Sequence, residues 1–142
     1  MKYIKNNLLI EKVKVLNIAK KFKTPIYCYS YRQLKDNINS FKKNFHSFSP
    51  LICFAVKSNT NLNLIREIRK LGLGADVVSI GELMLALKAG ISPKKIVFSG
   101  VGKTSEEIKY AINKNILLIN AESKSEIIEI EKIAISKKKI VN

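Results

Sequence analysis

Cysteine and histidine are scarce: two cysteines, Cys28 and Cys53, and one histidine, His46, in 142 residues. Neither cysteine belongs to a CxxC pair or a Cys/His cluster, so a structural zinc site is not expected and no metal is assigned. Both cysteines lie in apolar, strand-like runs, which predicts free core thiols in a reducing compartment. His46 follows a helical stretch and reads as a surface residue. No run approaches the roughly 18–20 consecutive apolar residues that span a bilayer. The patch Leu8-Leu9-Ile10 is too short for a signal-peptide core, and Glu11 follows at once. The expectation is a cytoplasmic protein with no membrane partner.

Acidic residues are also few, 11 against 26 basic ones, for a net charge of +15. Such a balance can mark a nucleic-acid binder. Here, however, 23 of the 26 are lysine, alongside 21 isoleucines and 13 asparagines. That joint excess reads as a bias towards AT-rich codons. A nucleic-acid reader would favour arginine, for its bidentate geometry. No zinc finger, helix-turn-helix or RNP pattern is present, so no nucleic-acid partner is expected.

What the chain does contain is a regular alternation of apolar runs and helical periods. Residues 11–22 have helix-like spacing that Thr24-Pro25 breaks. Ile26 to Tyr29 is short and β-rich, which predicts a strand. Leu34, Ile38, Phe41 and Phe45 predict a helix. Leu51 to Lys57 is a continuous apolar run ending in one charge, the pattern of a strand buried on both faces. Helices are predicted over 62–71 (stopped by Gly72), 81–89, 104–115 and 123–136. Strands are predicted over 75–79, 95–99 and 116–120, with another beginning at 139–141. Residues 1–50 thus form a helix-strand-helix lead-in. Residues 51–142 read as successive βα units, each about 20–25 residues long, which suits right-handed crossovers onto a parallel sheet. An open dinucleotide-binding sheet should show GxGxxG after its first strand, and none is present. The prediction is α/β, a partial (β/α)8 barrel of parallel strands with outer helices. A whole barrel typically needs about 250 residues, so the chain is expected to be about the first half of one.

Lys57 is the residue that stands out. It ends an apolar strand, at the end where barrel active sites lie. Strand alternation puts it on the face of Ala55 and Cys53, both small, with Phe54 and Val56 opposite. Apolar surroundings would disfavour its ammonium form and free the amine to condense with an aldehyde. An ordinary lysine in this place would cap the strand and point to water.

The segment Phe54-Ala55-Val56-Lys57-Ser58-Asn59 resembles the cofactor-lysine strand of the alanine-racemase-like decarboxylases. Gly72-Leu73-Gly74-Ala75-Asp76-Val77-Val78-Ser79-Ile80-Gly81-Glu82-Leu83 resembles a stretch found in the diaminopimelate decarboxylase family. Ala86 to Ile91, Ile96 to Thr104 and Ile119 to Ser123 continue that pattern in order, and Thr24 to Tyr29 is similar to the family's opening strand. The resemblance covers about residues 8–142.

It implies a pyridoxal 5'-phosphate enzyme with the cofactor on Lys57. The implied reaction is decarboxylation of meso-diaminopimelate to L-lysine and CO2, in lysine biosynthesis. The implied assembly is a homodimer at full length. Asp76 matches a family acid near the lysine and the ring, against a plain strand-end turn reading. Ser79 and Glu82, spaced as a capping box, read as structural. Ser99 and Asn120, at strand ends facing the site, are weaker candidates. The resemblance also places the phosphate loop, the acid at the pyridine nitrogen, the substrate-binding residues and a C-terminal β-domain outside these 142 residues. The piece alone is therefore not expected to catalyse decarboxylation. Ornithine, arginine and carboxynorspermidine decarboxylases share the barrel lysine and are the alternative, since their substrate contacts lie elsewhere.

Overall fold

The computed structural model describes residues 1–45 and 47–142. The expectation for His46 lies outside the described residues. The chain divides into two compact units, residues 1–49 and 50–142.

The first unit opens with a three-stranded antiparallel sheet of β1 (Lys2–Ile4), β2 (Asn7–Ile10) and β3 (Val13–Lys14), followed by α1 (Val15–Phe22) and α2 (Tyr31–Asn44). The sequence pattern missed these strands. Ile4 pairs with Asn7 across a two-residue loop, Lys5-Asn6, and both loop residues have positive φ (45° and 58°). Primed hairpin turns demand that conformation, but their usual glycine is missing here. The predicted strand at 26–29 is not formed. Its residues pair with neither sheet, and Tyr27 is 88% exposed. β-propensity expresses fit to a neighbouring strand, and no neighbour is supplied. Cys28 is accordingly exposed rather than a core thiol. Helix α2 starts at the Ser30 cap, whose Oγ accepts from Gln33 N. The Ser30 hydroxyl and the Arg32 N–H both donate to Glu11 Oε1, at 2.7 and 2.9 Å. The Arg32 N–H, then the Ser30 hydroxyl, hold the Glu11 carboxyl below its ordinary range.

The second unit is a run of βα units. Strands β4 (Cys53–Ala55), β5 (Gly74–Val77), β6 (Ile96–Phe98) and β7 (Leu118–Ile119) alternate with α3 (Leu62–Lys70), α4 (Ile80–Lys88), α5 (Ser105–Lys114) and α6 (Lys124–Lys137). All neighbouring pairs are parallel and the sheet order is β4-β5-β6-β7. Sequential order with no reversal puts every right-handed crossover on the same face. An open doubly wound sheet reverses its order and carries helices on both faces. The arrangement is that of four consecutive units of a (β/α)8 barrel. The predicted strand at 139–141 is not assigned as one, but Ile119 N donates to Asn142 O at 2.9 Å, alongside β7.

Alternation divides the sheet into two faces. Val56, Ala75, Val77, Ile96, Phe98 and Ile119 belong to the core under the helices, with Leu83, Ala86, Ile108 and Ala111 packed over them. The opposite face carries Cys53, Ala55, Gly74, Asp76, Val97 and Leu118. All of these except Gly74 are only partly buried. The two glycines at strand ends allow close approach of backbones. A Cβ at Gly100 would lie 2.2 Å from the Val78 carbonyl oxygen, and one at Gly74 2.1 Å from that of Lys95. Both obstacles are main-chain oxygens, which cannot swing aside as a side-chain tip can.

Carboxylates close the N-termini of α4, α5 and α6. Thr104 and Glu107 form a reciprocal capping box on α5, and the other oxygen of Glu107 accepts from Ile80 N, the first residue of α4, at 3.0 Å. One side chain therefore ties two successive βα units together. The Thr104 N–H, then the Ile80 N–H, outweigh burial and hold the Glu107 carboxyl below its ordinary 4.5. Lysines serve the opposite end: Lys139 Nζ donates to the last carbonyls of α5, Ile112 O at 3.0 Å and Asn113 O at 3.1 Å.

Gly100→Ala is expected to destabilise the chain by about 1–3 kcal/mol, the range for overpacking, as read by urea denaturation. Because the folded pKa of Glu107 is depressed, its stabilisation is present above about pH 4.5 and is lost as pH falls through the lower folded value. The urea midpoint should therefore drop on acidification more steeply in the parent than in Glu107→Gln; equal slopes would refute this role.

Candidate functional site

At the C-terminal end of β4 the chain leaves the strand in a tight 3-10 turn, Val56–Ser58, rather than continuing extended to Lys57. The polar residues after the lysine make that turn. Ser58 Oγ donates to Ala55 O at 2.7 Å, and Asn59 Oδ1 accepts from Asn61 N at 2.9 Å. Asn61 in turn caps α3, accepting from Asn63 N and Leu64 N. Ser58, Asn59 and Asn61 are thus absorbed by local backbone. Val56 is fully buried on the helix side, whereas Lys57 is exposed. Among the described residues the Lys57 side chain has neither hydrogen bond nor ion pair. The apolar enclosure expected around it is not built by these residues, because four strands leave the inner face open.

Asp76 sits one strand away. Its register partner on β4 is Ala55, two residues before Lys57, and on β6 it is Val97. The inner face here is lined by small side chains, Cys53 and Ala55, and by Gly74, which has none. Asp76 Oδ1 is buried and has no hydrogen-bond partner, alone in this among the described residues. A carboxylate oxygen in that state costs about 1–3 kcal/mol. The unpaired oxygen lies among small neighbours that offer it no donor. The same charge acts on its neighbour: burial first, then the Asp76 carboxylate, push the Cys53 thiol up. Cys53 is free, as expected, but half-buried on the inner face and not part of the core.

The strand ends of β6 and β7 complete the rim. The ladder runs on past the strands, with Ser99 N donating to Val77 O at 2.8 Å and Asn120 N to Phe98 O at 2.9 Å. Ser99 and Asn120 follow Val97 and Leu118 by two residues and so share the inner face. Asn120 Nδ2 donates to Ser99 Oγ at 2.9 Å. Ser79 and Glu82 are structural, as their spacing indicated: Ser79 Oγ accepts from Glu82 N, and Glu82 reaches back to Val78 N at 3.0 Å. Sequence reasoning missed Lys103. Its Nζ, with the side chain only 1% exposed, donates to Glu126 Oε1 at 2.5 Å and to Asn120 O at 2.7 Å. The available signal was a lysine following Gly102, but an exposed loop lysine carries the same signature.

Asp76→Ala removes the unpaired oxygen and is expected to leave stability unchanged or raised by about 1 kcal/mol in urea denaturation, whereas loss of a paired carboxylate would lower it.

Residues 31–142 match the family described as pyridoxal-dependent decarboxylase, pyridoxal binding domain. A diaminopimelate decarboxylase of Aquifex aeolicus is 43% identical over 134 residues, 94% of this chain and 31% of that protein. The crystal structure of the M. jannaschii diaminopimelate decarboxylase in complex with L-lysine superposes with a TM-score of 0.93 at 38% identity, over 97% of this chain and 33% of that one. An Entamoeba histolytica ornithine decarboxylase structure lies further off, with a TM-score of 0.74 at 26% identity, over 84% of this chain and 38% of that one. The chain spans about a third of the length of these relatives. The parallel βα units, the lysine after the first of their strands and the match over most of the residues agree: the chain belongs to the pyridoxal-binding domain family of the pyridoxal-dependent decarboxylases.

Proposed function

We propose that Lys57 carries pyridoxal 5'-phosphate, and that the chain is part of an enzyme decarboxylating meso-diaminopimelate to L-lysine and CO2. The observation behind this reading is an unpaired amine at the C-terminal end of β4, one strand from a buried carboxylate oxygen that also lacks a partner. The residues fit the cofactor. Lys57 supplies the amine that condenses with an aldehyde. Asp76 supplies an oriented negative charge beside it. Cys53, Ala55 and Gly74 leave the inner face low enough for a planar ring. When bound, the cofactor provides the electron sink for the pair released as the carboxyl group leaves. The protein's part is placement: the 3-10 turn fixes where Lys57 departs, and the β4–β5 register fixes how far Asp76 stands from it.

The substrate assignment is supported by the higher identity and TM-score against diaminopimelate decarboxylases than against the ornithine enzyme. The L-lysine bound in the M. jannaschii structure has the chemistry of the product proposed here. Asp76 is proposed as the second cofactor-binding residue. Residues 51–142 are proposed as the first half of the cofactor-binding barrel and 1–50 as its lead-in. We place the enzyme in the cytoplasm, acting on a small amino acid as a homodimer. No helix among the described residues is long and apolar enough to cross a membrane.

Borohydride reduction with pyridoxal 5'-phosphate, followed by peptide mapping, tests the reading. The label is expected at Lys57 in preference to the other lysines, and Lys57→Ala should remove that peak while leaving the remainder. Asp76→Ala should lower the Lys57 share without lowering stability. A label spread evenly over the lysines would sink the assignment.

A further inference from the structure

Lys103 is a buried cation in a chain whose other charges are mostly solvated, and the mechanism above does not use it. Its ammonium has three N–H donors. One goes to Glu126 and one to the Asn120 carbonyl, and the nitrogen sits 5.6 Å from the centroid of the Phe98 ring. Glu126 is anchored in turn: its other oxygen accepts from Glu122 N at 3.0 Å, and Ser123 caps α6 by accepting from Glu126 N. Burial pushes the Glu126 carboxyl up, but the Lys103 hydrogen bond and then the Glu122 N–H bring it below its ordinary range. Burying such a pair is a poor way to gain stability, since desolvation offsets much of the attraction.

What the pair does achieve is geometric. The main chain of Asn120 is gripped on both sides, its N–H by Phe98 O and its carbonyl by Lys103. With the backbone so held, the Asn120 amide is directed at Ser99 Oγ. Ser99 Oγ then acts as acceptor, which leaves its hydroxyl proton available to donate. Asn120 keeps its Oδ1 and one N–H. The two side chains thus present a donor, an acceptor and a second donor on the inner face at the rim where Lys57 stands.

We propose that Ser99 and Asn120 contact the oxygen substituents of the aldehyde cofactor held at Lys57, and that Lys103, with Glu126, is the positioning residue that orients them. This rests on the reading that Lys57 carries that cofactor. These residues would add to Asp76 on β5 a second set of polar groups, from the adjacent strand β6 and from β7 beyond it.

The test is the share of borohydride-fixed pyridoxal 5'-phosphate found at Lys57, with the other lysines as internal controls and urea denaturation run in parallel. Ser99→Ala and Asn120→Ala are each expected to cut the Lys57 share roughly twofold to tenfold, the worth of one hydrogen bond, with labelling elsewhere unchanged. Lys103→Met should do the same, and Asn120→Ala added to it should cost nothing further, because Lys103 acts through Asn120. Ser99→Ala touches no buried pair and keeps the test sound if Lys103→Met unfolds. An undiminished Lys57 share in both rim variants overturns the contact. Additive losses in the Lys103→Met, Asn120→Ala double variant overturn the positioning role. Failure of the parent to favour Lys57 would instead remove the cofactor reading itself, and this inference with it.

Discussion

Four short parallel strands hydrogen-bonded in chain order are the constraint on which everything else in the second unit depends. Each strand contributes only two to four residues to the ladder, yet the register of each neighbour sets which side chains share a face. Ala55, Asp76, Val97 and Leu118 stand in one row because of that register, and Ser99 and Asn120 stand one row higher. A slip of one residue would send Asp76 under the helices and Ala75 into the site. Close approach at Gly74 and Gly100, where a Cβ would meet backbone oxygen, guards the β5–β6 register at both of its ends.

The helices are held over this ladder by a small set of charged groups with definite tasks. Glu82, Glu107 and Glu126 each take backbone N–H groups at a helix start, where the dipole favours a negative charge. Glu107 and Glu126 also reach back to the preceding unit, through Ile80 N and Lys103 Nζ. Lys95, Lys103 and Lys139 donate to main-chain carbonyls: those of Gly72, Asn120, and Ile112 with Asn113. Part of the chain's large positive charge is therefore structural. Three of the eleven acidic residues, Glu82, Glu107 and Glu126, are spent on these helix starts.

Asp76 carries a cost that the fold does not offset. The fold leaves its Oδ1 dry and unpaired, although a neutral residue there would be easier to bury. Lys57 is the complementary case, an amine at a strand end with its polar neighbours all turned towards their own backbone. Each is unremarkable alone. Together, on adjacent strands, they form the unpaired donor and acceptor around which a ligand site can be assembled.

The sequence by itself determined the βα alternation, the parallel sheet, most helix starts and the prominence of Lys57. These are encoded locally, in apolar runs of strand length, in Ser/Thr-x-x-Glu caps and in Gly72 after a helix. It misjudged the first unit, where a hairpin without glycine hid three strands and the β-rich stretch Ile26 to Tyr29 found no partner to pair with. It also extended β4 as far as Lys57, although Ser58 and Asn59 draw the chain into a turn. Only the tertiary structure decided that Asp76 is unpaired, that Asn120 is aimed at Ser99, and that Lys103 is buried between Glu126 and a main-chain carbonyl. Those facts depend on strands and helices some twenty residues apart in the chain meeting in one register, and no local pattern records which side chain will be left without a partner when they do.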